Sequence, residues 1–193
     1  MNIKHNKEQV LKTGLHLFCE RGYTGLGVDE ICKITGMTKG AFYHAFKSKE
    51  QFLVEAIALY GENNVRRIHT QLLPNNQFSA IERLENFYIQ MLEAQPKTNF
   101  TGCFINNIMS ELGSISPNIG KLANNEFDKF VDAIEMTVKE AQEKGQLKNN
   151  IPSKEVTELL HSTFYGLLTR AKSSQDNQQS IKIINLLFEN LKK

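Results

Sequence analysis

Along almost the whole chain the apolar positions recur at intervals of three and four, the period of a helix with one buried face. Leu11, Leu15 and Phe18 set a first helix over residues 7 to 21, with Gly14 on the same face and Gly22 as its stop. Val28, Ile31 and Cys32 set a second over residues 28 to 35, ended by Gly36, since glycine accepts the left-handed backbone that closes a helix. Thr38 caps a third, from Lys39 to Phe46, with Phe42 and Phe46 one turn apart on its buried side. Ser48-Lys49-Glu50-Gln51 has the spacing of a capping box and opens a fourth helix, which runs through Phe52, Ala56, Leu59 and Tyr60 to Leu73 before Pro74.

The same reading continues after a connector from Pro74 to Phe78. Ser79-Ala80-Ile81-Glu82 is a second capping box, and the helix behind it carries Ile81, Leu84, Phe87, Tyr88, Met91 and Leu92 up to Gln95-Pro96. A short helix follows within residues 101 to 112. Ser116-Pro117 opens the next, with Ile119, Leu122, Phe127, Phe130, Ile134, Val138 and Ala141 as its buried face and Gly145 to Asn150 as a polar loop behind it. From Ser153, a broad stripe is formed by Val156, Leu159, Leu160, Phe164, Leu167, Leu168 and Ala171. Asp176 then caps a last helix with Ile181, Ile184, Leu187, Phe188 and Leu191. The fold class expected is all-α.

Composition adds bounds. The 193 residues, 40% of them apolar, suffice for a small head plus a regulatory core or for one large helical domain. The net charge of +2 says little, yet residues 1 to 50 hold eight Lys or Arg against five Asp or Glu, and residues 51 to 193 fifteen against sixteen. The positive excess lies with the first three helices. It is small, so affinity for a polyanion would have to come from placed contacts and from dimerisation. Cys19, Cys32 and Cys103 lack metal-ligand spacing, and their odd number argues against a disulfide framework, which suits a reducing cytoplasm. Cys19 and Cys32 read as small buried hydrophobes. The opening residues MNIKHNKEQ are polar and form no signal peptide, and no apolar run approaches the roughly 18 residues of a membrane span.

The outward face of the third helix carries Lys39, Gly40, Tyr43 and His44. An ammonium, a phenol and an imidazole beside a glycine pack poorly against protein, but they suit a surface laid against phosphates and base edges. Two short helices around a tight turn are how helix-turn-helix proteins enter a major groove, although the same turn also occurs as plain architecture. On this reading Lys39 and His44 face base edges, Gly40 permits close approach, and Thr38, Tyr43 and Lys49 hold phosphates.

Gly22-Tyr23-Thr24, Val28-Asp29-Glu30-Ile31 and the run from Thr38 to Glu50 resemble the N-terminal signature of the TetR family of transcriptional repressors. The family pattern K-G-x-x-Y-x-x-F-x-S-K-E is met at every fixed letter, from Lys39 to Glu50. The resemblance implies a three-helix helix-turn-helix head over residues 4–64 and a C-terminal helical ligand-binding and dimerisation domain over residues 65–193. It implies a homodimer that binds a palindromic operator in double-stranded DNA and lets go when a small-molecule effector enters the C-terminal domain. It also makes Lys49 a phosphate contact, Tyr23 part of the core of the head, and the last two helices a four-helix dimer interface.

In the C-terminal half, Gly102, Cys103, Asn107, Glu111 and Leu112 meet a G-C-x-x-x-N-x-x-x-E-L pattern similar to that of the NemR-like subgroup, regulators of electrophile-responsive genes. Cys103, after a glycine at a helix start, reads as a thiolate sensor or as a packing residue, and no Lys, Arg or His stands beside it in sequence. Asn106 and Asn107 need partners if buried, from local backbone, another helix or a ligand. Glu111 reads equally well as a surface charge. The candidate effector pocket is Phe87, Tyr88, Met91, Cys103, Asn106, Asn107, His161, Phe164 and Tyr165, for which a plain packing role is the alternative.

No Gly-rich phosphate loop, HExxH, GxSxG or paired-carboxylate pattern is present, so no catalytic residue, metal ligand or cofactor is assigned. The rival reading is a helical dimer that binds small molecules or partner proteins without specific DNA recognition.

Overall fold

The computed structural model describes residues 6–74 and 77–193. The residues 1–5, with most of the polar N-terminal stretch, and residues 75 and 76 of the connector lie outside it. Among the described residues there are nine α-helices: α1 (Lys7–Arg21), α2 (Val28–Thr35), α3 (Lys39–Phe46), α4 (Lys49–Leu72), α5 (Ala80–Glu93), α6 (Phe104–Leu112), α7 (Pro117–Glu143), α8 (Ser153–Ser174) and α9 (Gln178–Leu191), with a 3-10 turn at Gln95–Thr98. The all-α expectation holds, with helix ends within about two residues of those read from sequence.

The chain divides into two compact units, one reaching to Asn63 and including Phe104–Glu126, the other made of Asn64–Cys103 and Phe127–Lys193. In the first, α1 packs on α2 and α6, and α2 on α3. Its core is aromatic. Phe52 of α4 lies 4.7 Å from Phe46, 5.4 Å from Phe42 and 5.8 Å from Phe18, ring centre to ring centre. Phe104 extends the cluster, stacked 6.2 Å from Phe18 and edge-on to Tyr60. The inner face of α1 is Val10, Leu11, Gly14, Leu17 and Phe18. Leu17 therefore takes the place expected of Leu15, which is only half-buried. At about 100° per residue, position 17 falls beside Val10 and Gly14 on the packed arc, and position 15 falls at its edge. Cys32 is buried as expected, whereas Cys19 is half-exposed.

In the second unit α5 and α8 both pack on α9. The Ser79 capping box forms in full, with the hydroxyl and Glu82 satisfying each other's backbone N–H. The one at Ser48 forms by half: its Oγ accepts the Gln51 N–H at 3.0 Å, but its own N–H is taken by the Phe46 carbonyl at 2.7 Å. Asp176 is not the cap of α9. Asn177 holds that position and turns its amide to the Leu92 carbonyl, and the Asp176 carboxylate accepts the Gln178 N–H. Arg83 is buried and donates to the carbonyls of Leu72 and Phe78 and to the Glu140 carboxylate, closing the end of α4 that has no intrahelical donor.

The close approach of α1 to α4 requires glycine at position 14, where a Cβ would stand 2.2 Å from Cζ of Phe52. Gly14→Ala, which helix propensity alone would favour, is expected to lower stability by about 1–3 kcal/mol through overpacking, read as a shift of the urea midpoint at unchanged slope.

Candidate functional site

The outward side of α3 exists because its inward side is spent. Phe42 and Phe46 are fully buried against Phe52, which leaves Lys39, Gly40, Tyr43 and His44 in solvent. Thr38 stands at the N-cap, where its Oγ1 accepts the Ala41 N–H at 3.1 Å, so the hydroxyl oxygen that starts the helix is already engaged. Tyr43 is 47% exposed, with its ring edge-on to Phe42 at 5.5 Å. A Cβ on Gly40 would meet nothing closer than Thr38 Oγ1 at 3.9 Å, so the surface there is flat and open. The Lys39 ammonium pairs with Asp29 of α2 at 2.7 Å, and this hydrogen bond raises its pKa. The ammonium is thus held at the α2–α3 surface by an exposed carboxylate to which the sequence reading assigned no role.

Lys49, the first residue of α4, stands apart from this group. Its ammonium lies 4.1 Å above the Tyr23 ring, and burial lowers its pKa against the opposing charge of Glu111. Tyr23 is half-buried, 5.9 Å from Phe18, at the margin of the aromatic core. Glu111, left undecided by the sequence, accepts the backbone N–H of Tyr23 at 2.8 Å and of Thr24 at 2.7 Å. The signal that pointed to it was its place in the G-C-x-x-x-N-x-x-x-E-L pattern. Lys47 was also missed: it closes α3 at φ 64° and donates from Nζ to the His44 carbonyl at 3.3 Å.

In the second unit Phe87, Tyr88, His161, Phe164 and Tyr165 gather in one cluster, with Phe127 and Phe130 added from α7. His161 is 3% exposed. Its ring centre lies 4.8 Å from Tyr165, 5.3 Å from Phe127 and 5.8 Å from Phe164. Nδ1 is 3.4 Å from the Tyr88 hydroxyl, whereas buried Nε2 has no hydrogen-bond partner among the described residues. Burial holds the imidazole pKa down at about 3 and pushes that of the Tyr88 phenol up, so both groups are neutral. Cys103 Sγ is 3.6 Å from the Tyr165 hydroxyl, directly before α6. Gln95 fixes the approach to it, donating to the Met91 carbonyl and accepting the Gly102 N–H at 3.1 Å. Met91 is half-buried at the edge, its sulfur 3.4 Å from the Arg67 guanidinium. Asn106 and Asn107 are half-buried on α6 and belong to the first unit. Among the described residues no group of three or more His, Cys, Asp or Glu is placed to hold a metal ion.

Comparison with known proteins decides between the two readings of such a chain. Residues 10–56 match the description "Bacterial regulatory proteins, tetR family", and residues 80–187, more than half of the chain, match "Tetracyclin repressor-like, C-terminal domain". The chain belongs to the TetR family. The HTH-type transcriptional repressor NemR of Escherichia coli (strain K12) is 30% identical over 142 residues, 72% of this chain and 68% of that protein. The HTH-type transcriptional repressor DhaR of Mycobacterium sp. (strain GP1) is 24% identical over 185 residues, 96% of this chain and 91% of that protein. Among solved structures, reduced E. coli NemR aligns with a TM-score of 0.85 at 22% identity over 97% of this chain and 96% of that one. The regulatory protein TetR from Rhodobacter sphaeroides aligns at 0.87 and 24% identity over 96% and 98%. This TetR-family chain is a ligand-responsive, DNA-binding transcriptional regulator, and the similarity to NemR upholds the subgroup read from the Gly102–Leu112 stretch.

The buried histidine gives the regulator a pH signature. His161 binds its proton at about 3 when folded and near its ordinary 6.5 when unfolded. The unfolded state therefore takes up the extra proton, and stability falls as pH drops through that window while staying flat above it. His161→Phe is expected to remove one proton's worth of this slope, measured as urea midpoints against pH.

Proposed function

We propose that the protein is a homodimeric repressor in which each α3 enters a major groove of a palindromic operator and a small molecule bound in residues 65–193 favours release. The head is assigned to residues 4–64. The observation that carries this reading is the division of α3 into a fully buried aromatic side and an open side bearing Lys39, Gly40, Tyr43 and His44. Lys39 and His44 are assigned to base edges, Gly40 to close approach, and Thr38, Tyr43 and Lys49 to phosphates. Lys39 must exchange Asp29 for DNA, an inexpensive step because a solvent-exposed ion pair contributes little to stability.

The effector region assigned is the cluster of Phe87, Tyr88, Met91, Cys103, His161, Phe164 and Tyr165. Its neutral imidazole with a free Nε2 supports an uncharged, largely apolar effector that accepts or donates one hydrogen bond. A ligand shifts only the states that it binds differently, so the effector must prefer a dimer whose two heads no longer fit the operator. Dimerisation through α8 and α9 is supported by what the folded chain leaves uncovered. Leu159 is 46% and Leu186 62% exposed, and Ser162 and Gly166 lie on the same outward side of α8 as Leu159. The rest of the broad stripe read from sequence on α8 is used inside the chain, so Leu159 is its surplus, and Leu186 adds an exposed apolar position on α9. The cytoplasm, where the chromosome is, is the compartment that this role requires. Among the described residues no helix is long and apolar enough to cross a membrane.

Salt-titrated binding to the DNA flanking its own gene tests the reading. Specific, salt-sensitive binding is expected, with Lys49→Gln reducing the log–log salt slope by about one and Tyr43→Ala weakening affinity roughly tenfold. Binding that is absent or insensitive to salt at every flanking site overturns it. Leu186→Asp is expected to shift the chain from dimer to monomer in sedimentation velocity, since a charge would be buried unpaired at the assigned interface.

A further inference from the structure

Glu111 is the last polar residue of α6, a position where a carboxylate is disfavoured by the negative end of the helix dipole. Its compensation comes from the α1–α2 turn. Its two oxygens accept the N–H groups of Tyr23 and Thr24 at 2.8 and 2.7 Å, which supplies acceptors to the first two amides beyond Gly22. The turn is shaped for this carboxylate. Gly22 has φ 73°, and a Cβ there would stand 2.9 Å from Glu111 Oε2 and 3.2 Å from Oε1, so a side chain at this position would be strained in its backbone and would displace the carboxylate. Burial alone would raise the Glu111 pKa, but these N–H bonds and the Lys49 charge outweigh it and hold the pKa below the usual carboxylate value. Glu111 and Phe104 are seven residues apart, on one face of α6, so the helix grips the head at one end through the Phe104–Phe18 stack and at the other through this carboxylate.

We infer that Glu111 is a positioning residue for DNA binding, a carboxylate latch by which α6 fixes the α1–α2 turn and, through α2, the reading helix α3. The inference rests on the DNA-binding role assigned above. Closed, the latch holds Tyr23 under the Lys49 ammonium and sets the entry of α2 at Gly27, and α2 in turn packs on α3 and pairs Asp29 with Lys39. Withdrawing the end of α6 opens two charge-assisted hydrogen bonds at once and frees the turn. Because coupling is reciprocal, operator binding must also tighten the latch.

The test compares wild type, Glu111→Gln and Glu111→Ala with Lys49→Gln on the flanking DNA, by fluorescence anisotropy over a range of salt. Glutamine keeps one acceptor and loses the charge, and alanine loses both acceptors. A graded loss is expected, roughly tenfold for Gln and larger for Ala, at the wild-type salt slope, since no phosphate contact is removed. Lys49→Gln, which removes an assigned phosphate contact, instead lowers the slope. Glu111→Gln binding as tightly as wild type overturns the latch and leaves the regulator reading standing, whereas wild type that binds none of the fragments overturns both. A second measurement needs no variant. Amide hydrogen exchange at Tyr23 and Thr24 of the wild-type protein is expected to slow when the flanking DNA is added, and exchange unchanged by bound DNA overturns the latch.

Discussion

A helix of eight residues does not persist alone in water, because its first turn fixes several dihedral angles for a single hydrogen bond. Both α2 and α3 have that length, so the surface that α3 presents depends on what α3 buries. The burial is aromatic and nearly closed: Phe42 and Phe46 meet Phe52, Phe52 meets Phe18, and α1 comes close enough to complete the contact only where Gly14 has no side chain. Such rings add directional edge-to-face contacts to the area they bury, which fixes the rotation of α3 about its own axis. That rotation determines which side chains face outward. Lys39, Gly40, Tyr43 and His44 form a surface because Phe42 and Phe46 cannot turn away.

The second unit is organised around the opposite circumstance, a polar group in an aromatic core. His161 sits among Tyr88, Phe127, Phe164 and Tyr165 with one nitrogen near a phenol and the other without a partner among the described residues. An unpaired buried nitrogen costs on the order of 1–3 kcal/mol, which a purely structural core avoids by using leucine or phenylalanine. In the effector role proposed for this cluster, that nitrogen is the hydrogen-bonding group left for a ligand. The imidazole is neutral across the physiological range, so what it offers is a directed hydrogen bond, with no charge attached.

Much of the fold was legible in local pattern. Period, caps and breakers placed every helix, and the run from Lys39 to Glu50 carried the family. Two of the caps were misread in the same way. The Ser48 box forms only by half because the Phe46 carbonyl reaches the Ser48 N–H first, and Asp176 yields the cap of α9 to Asn177, whose amide is held by the distant Leu92 carbonyl. In both cases a competing acceptor, which residue type does not reveal, determined the local geometry.

The sequence by itself determined where the helices lie, which face of each is apolar, and which residues stand outward on α3, because these follow from spacing within one or two turns. Only the tertiary structure decided what Glu111 and His161 touch. Glu111 meets an amide 88 positions earlier, and His161 a phenol 73 positions earlier. It also decided that Leu159 remains uncovered while the rest of its stripe is buried, and that Leu186, outside the stripe read on α9, is exposed. A helical period marks a residue as inward or outward on its own helix. It contains no information on which other helix arrives to meet it, and that choice is made by packing the whole unit at once.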